Sequence, residues 1–223
     1  MTDRYAVIGN PIAQSKSPLI HTAFAQATGQ DLEYTKIEGP IGGFAVAVDA
    51  FRAAGGKGLN ITAPFKLDAF AYATERSPAA ELAGAANAMK FDGERVLAEN
   101  FDGVGLVRDV VHNLGHALSG KRVLMLGAGG AARGALLPFL AEQPAELVIA
   151  NRTIEKAREL ARIGAAQGNV RACAYRDLVD EAFDIVFNAT SASLRAELPP
   201  VPTTAFTPGA LAYELAYGKG LTP

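Results

Sequence analysis

Short apolar runs alternate with longer segments of mixed character along most of the chain. The runs have the length and continuous apolar character of buried parallel strands, and they cover residues 5–8, 32–37, 59–62, 122–126, 147–150, 185–188 and 210–215. Between them lie segments whose apolar residues repeat with the period of a helix, at residues 18–28, 44–54, 64–72, 103–114, 131–141 and 154–163. This alternation predicts an α/β fold with parallel sheets.

The strand–helix pattern begins afresh near residue 120 (GKRVLMLG), which indicates two domains. Residues 1–101 are expected to form an N-terminal α/β domain. Residues 102–223 are expected to form a second one, of the Rossmann-type doubly wound class, with residues 102–119 as a connecting helix. Two such domains would leave a cleft between them, and ligands commonly bind at domain interfaces.

Composition narrows the class of protein. The 223 residues are 49% hydrophobic and 20% charged, a composition typical of a globular protein. The formal net charge is -2, so the chain lacks the excess of basic residues that is typical of proteins that bind nucleic acids or membrane surfaces. A single cysteine, Cys173, cannot form an intrachain disulfide and fits a reducing compartment. Neither a signal core nor a membrane-length apolar run is seen, so we expect a cytoplasmic protein. Three histidines and one cysteine argue against a metal site.

A glycine-rich segment, residues 127–134 (GAGGAARG), stands between a predicted buried strand and a predicted helix. Glycines at that point permit a tight turn and the close approach of a pyrophosphate, whose charge the helix N-terminus binds. The Lys-Ser/Thr ending of a triphosphate-binding loop is missing, which favours a dinucleotide. The alternative is a plain tight turn. The candidate cofactor residues are Gly127, Ala128, Gly129, Gly130 and Ala131.

The end of the next strand indicates which dinucleotide. An NAD site usually places Asp or Glu there to accept a hydrogen bond from the ribose 2′-hydroxyl. This chain has instead Asn151, Arg152, Thr153 and, one turn later, Lys156. A guanidinium and a hydroxyl suit a 2′-phosphate, so we expect NADP. An exposed threonine helix cap with solvated basic neighbours is the alternative.

Two charged residues of the first half are candidates for acid–base chemistry. Lys66 falls in the first turn of a helix that the pattern begins at Pro64, where the helix dipole disfavours a cation; chance placement explains this equally well. Asp102 begins the connecting helix and is either an ordinary N-cap or a partner for Lys66. A Lys–Asp pair could exchange a proton with a substrate hydroxyl while hydride moves to or from a nicotinamide.

Other polar residues are equally ambiguous. Ser17 before Pro18 has the pattern of a helix cap, which leaves Ser15 without a structural role. Asn87 fits a turn just before a strand. His21 is expected to be a helix-surface residue without chemical function.

Together these segments resemble shikimate dehydrogenase, in the same order along the whole chain. The similar segments are residues 5–18 (YAVIGNPIAQSKSP), 55–66 (GGKGLNITAPFK), 83–87 (AGAAN), 100–106 (NFDGVGL), 127–134, 151–153, 188–191 (NATS) and 217–223 (YGKGLTP). The resemblance implies a two-domain NADP-dependent enzyme of aromatic amino-acid and chorismate biosynthesis, which reduces 3-dehydroshikimate to shikimate as a monomer or homodimer.

The resemblance also implies residue roles. The substrate-contacting set would be Ser15, Ser17, Thr62, Lys66, Asn87, Asp102 and Tyr217. Lys66 would be the acid/base residue paired with Asp102, and Leu215 would lie near the nicotinamide.

Some residues depart from the family's usual pattern. Phe101 replaces Thr, Ala86 and Ala88 replace Val and Thr beside Asn87, Glu214-Leu215 replace Asp-Met, and Ser193 replaces Gly. Family members also continue beyond the position of Pro223 into helices that close the first domain and carry a substrate-contacting Gln, and this chain is expected to lack them. Two alternatives therefore stay open: a quinate/shikimate-type polyol dehydrogenase, and a catalytically weak NADP-binding protein.

Overall fold

The structure, a computed structural model, describes residues 2–190, 192 and 196–216. The chain divides into two units, Met1–Phe101 and Asp102–Pro223. Each unit has its own sheet, of six strands in the first and five in the second.

The first unit is a mixed sheet in the order β2-β1-β3-β5-β6-β4. Its elements are β1 (Asp3–Gly9), α1 (Ser17–Thr28), β2 (Leu32–Glu38), α2 (Phe44–Ala53), β3 (Gly56–Ile61), α3 (Lys66–Tyr72), β4 (Glu75–Arg76), α4 (Pro78–Ala83), β5 (Ala88–Asp92) and β6 (Arg95–Glu99). β1 is parallel to β2 and β3, whereas β5 is antiparallel to β3 and β6. A tight turn at Gly93, with φ +58°, joins β5 to β6 and can connect only antiparallel strands.

One face of this sheet carries the core of the unit. Alternate residues of adjacent strands, Ala6 and Ile8 on β1 and Leu59 and Ile61 on β3, are buried on that face. α2 and α3 cover it with Phe44, Val48, Phe65 and Ala69. The period-two burial expected of a sheet with one covered face thus fixes which side chains face the helices.

Two helix starts differ from the sequence prediction. α3 begins at Lys66, not Pro64, because Phe65 has the non-helical ψ of 5° and serves as the N-cap. Ser17 is the first residue of α1 rather than its cap; the cap position is Lys16, which makes no side-chain capping bond. The Ser15 hydroxyl instead accepts a hydrogen bond from Ser17 N at 3.3 Å.

The second unit is a parallel sheet in the order β11-β10-β7-β8-β9. Its elements are α5 (Asp102–Arg108), β7 (Arg122–Leu126), α6 (Gly130–Ala141), β8 (Glu146–Ala150), α7 (Ile154–Gly164), β9 (Val170–Cys173), β10 (Phe183–Asn188) and β11 (Phe206–Glu214). Numbered from β7, the order is 3-2-1-4-5, the doubly wound arrangement of Rossmann sheets. Ligands of such sheets bind at the carboxyl edge where the order reverses, here between β7 and β10.

The predicted connecting helix is divided. α5 ends at Arg108 and continues as a π-helical turn, Asp109–Asn113. α5 packs closely on α6, since a Cβ added to Gly103 would lie 2.0 Å from the carbonyl oxygen of Gly134. Among the described residues, no helix has the length and apolar character needed to cross a membrane.

A four-residue ion network lies at the amino edge of the second sheet. Arg122 and Arg171 each contact both Glu146 and Glu181, at distances of 2.5–2.9 Å. These residues stand at the starts of β7 and β8, within β9 and before β10. The network therefore joins the strands at the edge opposite the one where ligands bind in this fold.

Candidate active site

The glycine loop occupies the turn between β7 and α6. Gly127 has φ +103°, a conformation that favours glycine, and its N–H donates to Ala150 O at 2.8 Å. A Cβ there would lie 3.1 Å from Ala189 O, in the loop after β10. The turn therefore requires glycine at this position.

The next two glycines leave room for a ligand. A Cβ added to Gly129 or Gly130 would meet no atom within 4 Å, so the space above them is open. Gly129 is the N-cap and Gly130 the first residue of the 12-residue helix α6, whose first turn holds no acidic residue. Amide N–H groups at a helix N-terminus bind anions, and this open cradle fits a pyrophosphate.

The basic residues follow β8 beside this loop. Asn151 Nδ2 donates to Thr153 O at 2.8 Å and holds the turn. Thr153 is the N-cap of α7 but makes no side-chain capping bond. Arg152, Thr153 and Lys156 are all exposed. Two cations and a hydroxyl at this strand end suit a phosphate ester rather than the bare 2′-hydroxyl of NAD.

The loop and the basic turn line one cavity of about 420 Å³. The sequence pattern missed several of its lining residues, among them Tyr175, Thr190 and Pro199. Tyr175 follows β9, a short strand that the pattern does not predict. Burial raises the pKa of Tyr175 and the nearby Arg152 opposes that shift. Thr190 lies in the NATS segment and donates through N and Oγ1 to Asn188 Oδ1, at 3.1 and 2.7 Å.

The ends of β10 and β11 are held together at the same edge. Asn188 Nδ2 donates to Glu214 Oε2 at 2.7 Å, and Ala216 N donates to Glu214 Oε1 at 2.8 Å. Leu215 N donates to Asn188 O at 3.1 Å. Leu215 is thereby held beside the end of β10, and the Glu214 carboxylate that departs from the family pattern is an integral part of this junction.

In the first unit, backbone bonds bring Thr62, Lys66 and Asn87 together. Asn87 O accepts from Ile61 N at 2.8 Å, and Ala86 N donates to Lys66 O at 2.9 Å. The Asn87 side chain accepts from Phe101 N at 3.0 Å. Asn87 thus stands between the end of β3 and the start of α3.

Ser15 and Ser17 join this group through the loop after β1. Their hydroxyls are 3.2 Å apart. Asn10 N donates to Ala63 O at 3.0 Å, which ties the start of that loop to the segment that carries Thr62. All the predicted substrate residues of the first unit therefore lie at the carboxyl edge of β1 and β3.

The remaining predicted site residues lie elsewhere in the chain. Asp102 belongs to the second unit, where it is the first residue of α5. Tyr217 lies outside the described residues. Of the part of the chain that the structure describes, no group of three His, Cys, Asp or Glu side chains is arranged to hold a metal ion.

Two further residues join the first-unit group in the structure. Asn60, on β3, lies two residues before Thr62, which follows the last residue of that strand, and its side chain donates to Asn87 O at 3.5 Å. His21, expected to be a surface residue, stacks on Tyr34 with ring centroids 4.3 Å apart. Asn60 stands within the NITAPFK motif, but the contact with His21 needs the tertiary fold.

Fold and site together define an α/β protein with a Rossmann-type dinucleotide site and a second sheet that carries a cluster of hydroxyl, amide and ammonium groups. Two family models match the chain. The model described as shikimate dehydrogenase substrate binding domain matches residues 7–89, and the model described as shikimate / quinate 5-dehydrogenase matches residues 109–196.

Individual relatives agree with the family models. Shikimate dehydrogenase (NADP(+)) of Nitrosospira multiformis is 54% identical over 222 residues, covering 100% of this chain and 81% of the relative. The crystal structure of an Ael1 enzyme from Pseudomonas putida has a TM-score of 0.92 at 59% identity, covering 100% and 82%. Shikimate 5-dehydrogenase from Thermus thermophilus, in complex with NADP(H) and shikimate, has a TM-score of 0.82 at 27% identity, covering 96% and 78%. The chain belongs to the shikimate dehydrogenase family, NADP-dependent oxidoreductases that act on a CH–OH group.

Proposed function

We propose that this protein reduces 3-dehydroshikimate reversibly to shikimate with NADPH, its first unit binding the substrate and its second unit the cofactor. The observation that carries the proposal is the assembly of Thr62, Lys66 and Asn87 at one sheet edge, in a chain that also has the open glycine cradle. A hydroxy acid offers the hydroxyls and carboxylate that this polar set recognises, and NADP offers the phosphates that the cradle and basic turn recognise.

The residues of the second unit fit NADP. Residues 127–131 would hold the pyrophosphate at the N-terminus of α6. Asn151, Arg152, Thr153 and Lys156 would hold the 2′-phosphate, with Arg152 as a planar two-point donor. Leu215 would lie against the nicotinamide. When bound, NADPH supplies the hydride for the substrate carbonyl carbon.

Lys66 is the proposed acid/base residue. In the reducing direction Lys66 Nζ gives a proton to the substrate carbonyl oxygen, and in the oxidising direction it takes the proton from the hydroxyl. Asp102 is its proposed partner in the acid–base chemistry and is proposed to accept a hydrogen bond from the substrate. The positions of Lys66 and Asp102 at the starts of their helices support these roles, because the first residue of a helix is held by the packing of the whole element.

The neutral polar side chains of the site are proposed to select the substrate. Ser15, Ser17, Thr62, Asn87 and Tyr217 are proposed to hydrogen-bond the carboxylate and hydroxyls of shikimate. Sites built to bind hydroxyls reject analogues that lack them, because their own polar groups would be left unpaired. Selectivity should therefore depend on each hydroxyl of the substrate.

Quinate is a second candidate substrate, favoured by the family model that names both acids. The two candidate substrates are distinguished by measuring the rate of NADP reduction from its absorbance, with shikimate and with quinate at equal concentration. A higher kcat/KM with shikimate supports the proposal, and a higher value with quinate replaces it by the second candidate. NADP binding without turnover of either acid would identify a catalytically weak binding protein.

The proposal includes a cytoplasmic location and a monomeric or homodimeric state. The location rests on the one free cysteine, Cys173, which is buried and fits a reducing compartment. Light scattering on the purified protein measures the oligomeric state, and a stable mass above that of a dimer would contradict it.

A further inference from the structure

Three side chains of the first unit form a chain of contacts that ends at the proposed substrate site. The rings of His21, on α1, and Tyr34, on β2, are stacked with centroids 4.3 Å apart and an interplanar angle of 1°. The Tyr34 hydroxyl donates a short hydrogen bond to Asn60 Oδ1. Asn60 Nδ2 lies 3.5 Å from Asn87 O, to which it donates.

The chemistry of these partners fixes which way the Asn60 amide faces. A backbone carbonyl can only accept, so Asn87 O requires the NH₂ end of the Asn60 side chain. The oxygen end must then face Tyr34, whose hydroxyl donates. Asn87 O has two lone pairs, and the other bond it accepts comes from Ile61 N at 2.8 Å. The arrangement is therefore satisfied in only one of the two orientations of the amide.

His21 contacts both Tyr34 and Asn60. It lies within hydrogen-bonding reach of Asn60, and this contact opposes the lowering of the His21 pKa by burial. Burial raises the pKa of Tyr34 above its usual range, so the hydroxyl keeps its proton and remains a donor. The stacked His21 ring also limits movement of the Tyr34 ring.

We propose that Tyr34, backed by His21, is a positioning residue that orients the Asn60 amide toward the substrate. Asn60 has two amide hydrogens. One goes to Asn87 O, and we assign the other to a hydroxyl or carboxylate oxygen of the hydroxy acid bound beside Thr62. This inference rests on the proposed function, since it names a residue that positions a group of the same site.

The first test is Tyr34→Phe, which removes one hydroxyl and keeps the ring stacked on His21. Tyr5→Phe is the matched control, because Tyr5 lines the same recess of about 250 Å³ and lies directly opposite Tyr34 in the sheet. We expect Tyr34→Phe to raise the KM for shikimate about tenfold, the usual effect of losing one hydrogen bond. The kcat, the KM for NADP and the melting temperature should match those of Tyr5→Phe.

A double-mutant cycle with Asn60→Ala tests whether Tyr34 acts through Asn60. If it does, Tyr34→Phe has nothing left to misplace in the Asn60→Ala background, and the double variant should show the KM of Asn60→Ala within about twofold. If Tyr34 has only a structural role, Tyr34→Phe should raise the KM for shikimate in the Asn60→Ala background by the same factor as in the wild type.

The outcomes separate this inference from the proposed function. Wild-type protein that does not turn over shikimate overturns the proposed function and this inference with it. Wild-type turnover combined with equal KM values for Tyr34→Phe and Tyr5→Phe overturns the inference alone. Additive effects in the cycle also overturn it, whereas a selective, non-additive rise in the KM for shikimate supports it.

Discussion

The two units build their candidate sites in different ways. The second unit forms its cradle from consecutive residues, a strand, a glycine turn and a helix start, whose backbone N–H groups face open space. The first unit assembles its cluster from three separate segments, tied by bonds such as Ala86 N to Lys66 O. A site made of local backbone can be recognised in a sequence by its motif, whereas a site made of distant side chains needs the fold.

This comparison also divides the expected function. Changes in the first unit should act on substrate binding and proton transfer, and changes at the carboxyl edge of the second unit should act on the cofactor.

Lys66→Ala should lower kcat by a factor on the order of 10²–10⁴, the usual contribution of a positioned acid/base group. The variant lacks the group that exchanges a proton with the substrate oxygen. Steady-state kinetics with shikimate and NADP measure the change in kcat. Lys57→Ala is the control, since Lys57 is exposed and lies near the opposite end of β3. Near-normal turnover by folded Lys66→Ala would contradict the assignment.

Arg152→Asp should shift cofactor preference from NADP toward NAD by a factor on the order of a hundred. The variant removes a charge-assisted partner of the 2′-phosphate and supplies an acceptor for a 2′-hydroxyl. The ratio of kcat/KM values for the two cofactors is the measurement. Arg158→Asp, an exposed position on α7, controls for the change in net charge, and an equal shift there would refute the role of Arg152.

Gly129→Ala should weaken NADP binding about tenfold without lowering the melting temperature. Gly129 has φ -85°, which alanine tolerates, and its Cβ would enter the open space assigned to the pyrophosphate. Equilibrium titration with NADP measures the effect. Gly105→Ala, also with open space around its Cβ, should leave binding unchanged; unchanged binding in both variants would show that the pyrophosphate lies elsewhere.

Glu146→Gln should lower the melting temperature by about 3 °C at neutral pH, because this network is only partly buried and one such pair contributes about 1 kcal/mol. Burial alone would raise the pKa of Glu146, but the bonds from Arg171 and Arg122 outweigh it and lower the pKa below its ordinary value of 4.5. A lowered folded pKa means that this stabilisation is present above pH 4.5 and is lost as the pH falls below it.

Thermal unfolding across that pH range checks the sign. The melting temperature of the wild type should fall more steeply with acidification than that of Glu146→Gln. Glu155→Gln, at an exposed position on α7, serves as control. Since the network lies at the amino edge of the second sheet, the NADP affinity of Glu146→Gln should stay within about twofold of the wild-type value. A larger loss would mean that the amino and carboxyl edges of this sheet are coupled.

The sequence predicted the second unit well because its signals are local. The α/β class, the glycine loop and the start of the α7 helix follow from apolar runs and turn residues, and the comparisons confirm the family and the NADP dependence. β9 escaped prediction because the segment is short and only Cys173 is fully buried. Tyr175, which follows it, was therefore missed as a lining residue.

The first unit was predicted less completely because its geometry is non-local. β4 and α4 are short, and β6 alternates exposed and buried residues instead of forming a continuous apolar run. The antiparallel course of β5 depends on a turn at Gly93 rather than on a helical crossover. The Lys66 motif could be recognised, but its proximity to Asn87 arises from pairing between β3 and β5. The stacking of His21 on Tyr34 involves residues on different elements, and no spacing in the sequence indicates it.

The division between the units is tested most directly by measuring both KM values in two variants side by side. Thr62→Val removes a hydroxyl from the first unit, and Arg152→Asp changes the basic turn of the second. The account predicts that Thr62→Val raises the KM for shikimate about tenfold and leaves the KM for NADP within about twofold. Arg152→Asp should raise the KM for NADP about tenfold and leave the KM for shikimate within about twofold. Variants that each raise both constants by similar factors would contradict it.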